Sequence, residues 1–198
     1  MIRPTFKTLF VITLLGGVLS ACSTSPDPRL YILEPMHVSG GSQTGEGLSI
    51  VVGPVTLPAH LDHKGIVTHD QRYRVNAAKF DRWAEPLDQN IVRVLCDNLS
   101  ALIPSNQIVA YPRQLAHDVD YTVRIRISEF GTNPDGEVVL NVAWMLHDKA
   151  NAPVNAAKTR YSVNRRGDDV VAVVEAMSQA VERLSRDISN AIVSASAD

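Results

Sequence analysis

Residues 119–128 have the sequence Val-Asp-Tyr-Thr-Val-Arg-Ile-Arg-Ile-Ser, in which apolar and polar side chains alternate. Successive side chains of a β-strand point to opposite faces of its sheet, so this alternation predicts a strand with one buried and one solvated face. The turn sequence Asn133-Pro-Asp-Gly136 comes next, and the alternation returns over residues 138–146 and 157–163. These segments together predict an antiparallel meander.

Two further segments have apolar residues at the spacing of an amphipathic helix. The first apolar stripe comprises Leu87, Ile91, Val94, Leu95, Leu99 and Leu102. We expect Asp81 to cap the N-terminus of this helix and Pro104 to end it. The second stripe comprises Val170, Val173, Val174, Met177, Val181, Leu184, Ile188 and Ile192, and it follows Asp168 and Asp169, which favour a helix N-terminus.

Shorter apolar runs predict the remaining strands, at residues 29–33, 48–52, 65–68, 72–76 and 107–110. The run at 48–52 is continuously apolar, which is typical of a strand buried on both faces. The predicted class is therefore α+β, with a mostly antiparallel sheet and two long amphipathic helices packed on one of its faces.

The N-terminus has the order of a secretory signal peptide, with Arg3 and Lys7 before an apolar core over residues 9–19. Its ending, Leu19-Ser-Ala-Cys22, resembles the lipobox of bacterial lipoproteins, in which the cysteine is acylated and the peptide is cleaved before it. The alternatives are an ordinary signal peptide or a buried apolar helix. We interpret Cys22 as a lipidation site that anchors the mature protein in a membrane.

This interpretation divides the chain into a signal peptide at 1–21, a lipidated tether at 22–28 and a single α+β domain at 29–198. Ser23 directly follows the cysteine. A serine at this position resembles the signal for export to the outer membrane. We therefore expect a protein that is lipid-anchored in the outer membrane and faces the periplasm.

The chain has 19 Lys and Arg against 21 Asp and Glu, a net charge of −2. Loss of Arg3 and Lys7 with the signal peptide makes the mature chain more acidic. The chain has no overall basic excess, so its charge does not indicate binding to nucleic acid or to anionic lipid headgroups. Cys96 is the one cysteine besides Cys22 and lies in the first helical pattern, so we expect a small, buried apolar residue there.

No pattern in the chain specifies an enzyme, a cofactor or a metal. His60, His63 and His69 form the densest histidine group, but they fall on a predicted loop and turn, whereas zinc ligands are held on rigid elements. Exposed loop histidines are the default interpretation. Nucleophile-elbow and phosphate-binding glycine motifs are absent from the sequence.

Three residues are candidate partner contacts: Leu57, Leu61 and Trp83. Leu57 and Leu61 have no periodic place in the predicted core, so the loop that contains them could dock a partner or be anchored inside the domain. Trp83 could likewise anchor a partner, or it could pack with Phe80 between the first helix and the sheet.

Several stretches together resemble the PqiC family, the auxiliary lipoproteins of ABC-type and MCE-domain transport systems. They are the lipobox cysteine, Tyr31-Ile-Leu33, Ile50-Val-Val-Gly-Pro-Val-Thr-Leu-Pro58, Phe80-Asp-Arg-Trp-Ala-Glu-Pro-Leu87 and Asn98-Leu99. The resemblance covers essentially the whole mature chain. Only Cys22 carries over as a functional residue.

The resemblance implies a non-catalytic docking subunit of a lipid transport system that maintains envelope integrity. It implies an MCE-domain protein as partner and self-association of the lipoprotein. The residues and the charge predict no cofactor, metal or nucleic acid. Two rival functions remain: a carrier that holds an acyl chain in its own cavity, and an envelope hydrolase, which would need a clustered acid/base set.

Overall fold

In a computed structural model, the protein is described over residues 26–37, 47–71, 73–103, 105, 107–112 and 119–197. The predicted signal peptide, the predicted lipidation site Cys22, the following Ser23 and Pro104, which was predicted to end the first helix, lie outside the described residues. In chain order the elements are β1 Arg29–Tyr31, β2 Ser49–Thr56, β3 Gly65–Gln71, β4 Arg74–Trp83, α1 Leu87–Leu102, β5 Gln107–Ala110, β6 Tyr121–Thr132, β7 Glu137–Asp148, β8 Pro153–Asn164 and α2 Val170–Ser196.

The predicted meander is confirmed in strands β6, β7 and β8, which pair antiparallel in that order. Val123, Ile125 and Ile127 are buried, and the arginines between them are exposed. The predicted turn after β6 is also confirmed, because Gly136 takes a φ of +85° and its N–H donates to the carbonyl of Asn133 at 3.0 Å. Glycine tolerates this left-handed conformation without the steric cost that a Cβ would impose.

The sheet as a whole is mixed, so the prediction of a mostly antiparallel sheet is wrong. β2 lies between β5 and β6 and is parallel to both, β1 is parallel to β4, and β3 meets β6 in parallel at Thr68 and Thr132. α1 lies in the connection from β4, near one end of the strand order, to β5 at the other end. Alternation of side chains reports which face of a strand is buried but does not report strand direction.

Residues 49–53 of β2 are all buried, which confirms the strand that was predicted to be covered on both faces. α1 packs on β2 and β5, α2 packs on β6, β7 and β8, and the two helices contact each other. The predicted layer of two helices against the sheet is therefore confirmed. Their interface holds a buried hydrogen bond in which Asn98 Nδ2 donates to Ser185 Oγ at 2.9 Å.

The helix starts differ from one another. Asp169 caps α2, as its carboxylate accepts from the Ala172 N–H at 2.8 Å. α1 begins after Pro86 without a side-chain cap, so the prediction of Asp81 as its N-cap is wrong. Asp81 instead lies in β4, which continues to Trp83, and α1 begins only at Leu87.

Candidate functional site

The first strand connects the tether to the body of the domain. β1 adds to the edge of β4 in parallel, with Arg29 opposite Asp81 and Tyr31 opposite Trp83. The Asp81 carboxylate accepts from Arg29 Nη2 and from Tyr31 Oη, both at 2.9 Å, and Arg29 Nε lies 2.7 Å from it. Arg29 chiefly lowers the pKa of Asp81, and burial raises the pKa of the Tyr31 phenol.

The residues after β1 are bound to α1 through buried asparagines. Asn98 Oδ1 accepts from the Met36 N–H at 2.7 Å, and Asn90 Oδ1 accepts from the Leu33 N–H at 3.3 Å. Both asparagine side chains are fully buried. The segment that follows the tether is therefore held on both the sheet and the helix layer, and detaching it would break both of these hydrogen bonds.

An open groove of about 510 Å³ lies between this segment and α2. Its apolar lining includes Leu30, Ile32 and Val171, which are 63%, 40% and 61% exposed. Glu34, Glu175 and Glu182 also line the groove, and Arg166 lies 3.8 Å from Glu175 and Arg186 lies 2.9 Å from Glu182, so the rim carries charges of both signs. Exposed apolar side chains that cluster in this way are typical of a binding surface. We call this surface the anchor-proximal groove.

The sequence did not single out the groove residues. Arg29–Leu33 contains apolar side chains at successive positions, so both faces of this short edge strand are apolar, and only one of them can meet the core. Apolar side chains on both faces of this strand were the sequence feature that could have indicated an exposed apolar surface. Leu33 is fully buried, whereas Leu30 and Ile32 face the groove.

The three predicted partner contacts have different surroundings. Trp83 and Leu61 are 6% and 1% exposed and belong to the hydrophobic core, and Leu57 is half-buried against that core. The structure thus places none of them in the anchor-proximal groove. Their contact with a partner stays a prediction.

Cys96 is half-buried in α1, and desolvation, followed by the nearby Asp97 carboxylate, raises the pKa of its thiol to about 12. Such a thiol remains protonated at neutral pH and is a poor nucleophile.

His60 and His69 meet edge to face with ring centroids 6.4 Å apart. Among the described residues, no three His, Cys, Asp or Glu side chains are grouped to hold a metal ion. Over the same residues, neither helix is long and apolar enough to cross a membrane.

The fold occurs in solved structures of distant sequence. One, of an uncharacterised protein, gives a TM-score of 0.71 at 23% identity and covers 84% of this chain and 99% of its own. Another, of a protein from Xanthomonas campestris, gives a TM-score of 0.72 at 12% identity and covers 85% of this chain and 97% of its own. These similarities show the architecture, which is that of a domain with two helices on a mixed sheet.

The family model for the ABC-type transport auxiliary lipoprotein component matches residues 31–189, and the chain belongs to this family. The intermembrane transport lipoprotein PqiC of Escherichia coli K12 is 30% identical over 142 residues, which make up 70% of this chain and 73% of that protein. The PqiC protein of Shigella flexneri matches equally well. The resemblance that the sequence motifs indicate is confirmed.

Proposed function

We propose that the protein is an outer-membrane lipoprotein, anchored through Cys22, and a non-catalytic docking subunit for an MCE-domain protein of a lipid transport system. Membership of the auxiliary lipoprotein family supports the transport role. The name of the Escherichia coli relative, an intermembrane transport lipoprotein, supports a role between two membranes. Ser23 supports the outer membrane as the site of the anchor.

The observation that carries the docking role is the position of the anchor-proximal groove directly after the tether. Arg29 is seven positions after Cys22, so the extended tether spans at most about 25 Å. β1 then fixes the groove to the body of the domain. A lipid on Cys22 therefore holds an exposed apolar surface close to the membrane and raises its effective concentration for a partner that reaches that membrane.

The occupant that fits the groove is a segment of the MCE-domain partner that presents apolar side chains. Leu30, Ile32 and Val171 supply an apolar contact surface, and Glu34 and the Glu175–Arg166 pair lie beside them. Apolar side chains at the centre of a contact supply most of its binding free energy, and charges at its rim favour the correct partner.

The test is recovery of the partner from membranes with the acylated protein as bait. Cys22→Ala removes the lipid and should greatly reduce recovery of an MCE-domain protein, whereas Cys96→Ala keeps the lipid and should leave recovery unchanged. The double variant Leu30→Gln/Val171→Gln should reduce recovery by about tenfold or more.

The matched control for the groove is Met145→Gln/Val154→Gln, because both of these side chains are 44% exposed and lie outside the groove. The control should recover the partner normally. Equal recovery by the groove and control variants would refute the groove as the docking surface, and bait that recovers no transport protein would refute the docking role. The mass of the purified bait in solution tests the self-association that the family resemblance implies.

The alternative is a carrier that holds an acyl chain, and the apolar groove itself is the observation that favours it. A carrier would retain phospholipid through purification. Mass spectrometry of the purified Cys22→Ala protein distinguishes the two functions: bound phospholipid that is lost in Leu30→Gln/Val171→Gln supports the carrier, and an empty protein supports the docking subunit.

A further inference from the structure

The meander of β6, β7 and β8 has one face that packs against α2 and a second face that points away from it. On the packed face, Val123 and Ile125 are buried, and Tyr161 Oη donates to the Asp187 carboxylate of α2 at 2.6 Å. The alternate side chains of the three strands point to the opposite side of the sheet. We call that side the open face and define it by six central residues: Arg124, Arg126, Ala143, Met145, Ala156 and Lys158.

The centre of the open face is apolar. Ala143 lies between Arg126 and Lys158 in one cross-strand row, and Met145 follows it on the same face of β7. Met145 is 44% exposed. An open depression of about 390 Å³ is lined by Ala143 and Met145 together with Arg124 and Arg126. A solvated sheet face normally carries polar side chains, so exposed apolar residues at its centre are typical of a contact surface.

The side chains around this centre are basic, although the chain is acidic overall. Arg126 and Lys158 are exposed, and neither forms an ion pair with any carboxylate in the described part of the chain. Arg124 donates to Asn151 Oδ1 at 2.8 Å, a neutral partner that leaves the arginine charge uncompensated. Three cations without a carboxylate partner therefore surround the apolar centre.

The spacing of these cations matches the dimensions of an α-helix. Neighbouring strands are about 4.8 Å apart, so Arg126 and Lys158, which are two strands apart, are separated by about 10 Å. A helix with its side chains is about 10–12 Å wide. Arg124 and Arg126 are about 7 Å apart along β6, close to the rise of about 6 Å between helix residues i and i+4. In the next row Glu129 pairs with Arg160 at 3.2 Å, so the uncompensated charge ends there.

We propose that the open face binds an amphipathic helix of a second partner protein, with an apolar stripe flanked on both sides by Asp or Glu. The stripe packs on Ala143 and Met145. Carboxylates on one flank meet Arg124 and Arg126, and carboxylates on the other flank meet Lys158. The bound helix forms a third layer and covers this face of the sheet as α2 covers the other.

Position and charge both separate this surface from the anchor-proximal groove. The groove is lined by α2, on the other side of the sheet, and its rim carries charges of both signs. One helix cannot occupy both surfaces, and only the open face has the uncompensated cations that an acidic helix requires. A partner strand is not the occupant, because strands add to the edge of a sheet and not to its face. The inference therefore does not depend on docking at the groove.

The test is site-specific photo-cross-linking of the acylated protein in its own membranes. Benzoylphenylalanine is introduced in place of Ala156, an exposed residue of the open face, or in place of Asn190, an exposed residue of α2. Mass spectrometry identifies the cross-linked peptide. Position 156 should cross-link several-fold more than position 190, to a protein segment with apolar residues at helical spacing and flanking Asp or Glu.

The charge dependence is tested with Arg126→Ser/Lys158→Ser, and Lys64→Ser/Lys149→Ser is the control that loses the same charge from exposed residues elsewhere. Two exposed ion pairs together favour binding by about fivefold to tenfold, so the open-face variant should reduce cross-linking at position 156 by this factor and its control should not. Added salt should act as the open-face variant does. Arg126→Lys/Lys158→Arg should restore cross-linking, which separates charge from folding.

A synthetic peptide of the cross-linked segment provides a second measurement. It should bind the purified acylated protein, and the same peptide with Asn and Gln in place of Asp and Glu should bind at least about fivefold more weakly. The groove variant Leu30→Gln/Val171→Gln should bind the acidic peptide normally. Failure of the groove as a docking surface and failure of the open face are thereby distinguishable.

Equal cross-linking at positions 156 and 190, or cross-linking that is unchanged in Arg126→Ser/Lys158→Ser, would overturn the proposal. Cross-links to phospholipid or to a second copy of this chain would overturn it in favour of a membrane contact or self-association. Cross-links to the MCE-domain protein would overturn the assignment to a second partner.

Discussion

Asn98 joins three parts of the molecule through one buried side chain. Its amide donates to Ser185 on α2 at 2.9 Å and accepts from the Met36 N–H at 2.7 Å, so it connects both helices with the segment after β1. A buried amide with satisfied donors and acceptors specifies one arrangement of its neighbours, because every shifted arrangement leaves a polar group unpaired.

We predict that Asn98→Ala lowers the free energy of unfolding by about 2–4 kcal/mol. The loss arises because the Met36 N–H is left without its acceptor and Ser185 loses a donor. Urea unfolding measures it. Asn190→Ala, at an exposed position of α2, should change the free energy of unfolding by less than about 0.5 kcal/mol. Equal effects of the two changes would show that Asn98 does not hold the helices together.

Asp81 is predicted to make the stability depend on pH. Its pKa is lowered in the folded protein, first by the hydrogen bond from Arg29 and then by that from Tyr31, while burial opposes them. A carboxyl whose pKa is lowered by folding stabilises the fold above its unfolded pKa of about 3.9, and this stabilisation is lost as the pH falls through the folded value.

The difference in free energy of unfolding between the wild type and Asp81→Asn should therefore be constant near neutral pH and shrink below about pH 4. Asp62→Asn removes one negative charge from an exposed position and serves as the control for net charge. Denaturant unfolding across this pH range checks the expectation. A difference that grows on acidification would contradict the assigned direction of the pKa shift.

At the scale of elements, the hairpin formed by β3 and β4 depends on a close approach to β6. A Cβ added at Gly131 would lie 2.7 Å from the carbonyl oxygen of Val67, which is too close for two non-bonded atoms. The backbones of β3 and β6 can therefore pair at Thr68 and Thr132 only if residue 131 has no side chain.

We predict that Gly131→Ala destabilises the protein by about 1–3 kcal/mol, since the backbone of β3 has to move away from β6. Hydrogen exchange should become faster in β3 and β4 before it does so in β7 and β8. Gly167→Ala is the control, because the nearest atom to an added Cβ there is 3.4 Å away, at an ordinary contact distance. Unchanged exchange in β3 would contradict the predicted role of Gly131.

The elements that could be predicted are those whose side-chain period is decisive. Alternation over 119–128, 138–146 and 157–163 and the apolar stripes at 87–102 and 170–192 identified three strands and two helices, because burial of one face imposes each period on the sequence. The directions of β2 and β5 could not be predicted in this way, because parallel and antiparallel strands share one period. Asp81 was mistaken for a cap because its partner, Arg29, is far away in sequence.

At the scale of the whole molecule, the sequence was informative about the kind of protein but less so about its surfaces. Cys22 could be predicted as a lipidation site because a lipobox is a contiguous motif. The anchor-proximal groove is formed by Leu30 and Ile32 together with Val171, which is distant from them in sequence and meets them only in the folded chain.

The tether should determine how well the domain works without affecting its fold. Cys22 and the first strand are seven residues apart, and the proposed docking contact depends on this short distance.

We predict that about twenty Gly and Ser residues inserted between Ser25 and Pro26 lower the effective concentration of the domain near its partner by about eightfold, since this quantity falls as the −3/2 power of linker length. Partner recovery should decrease, because the groove is no longer held close to the membrane. The same segment added after Asp198 should have no effect on recovery, and thermal unfolding should be unchanged in both proteins. Full recovery with the long tether would show that the domain binds its partner without help from the position of its anchor.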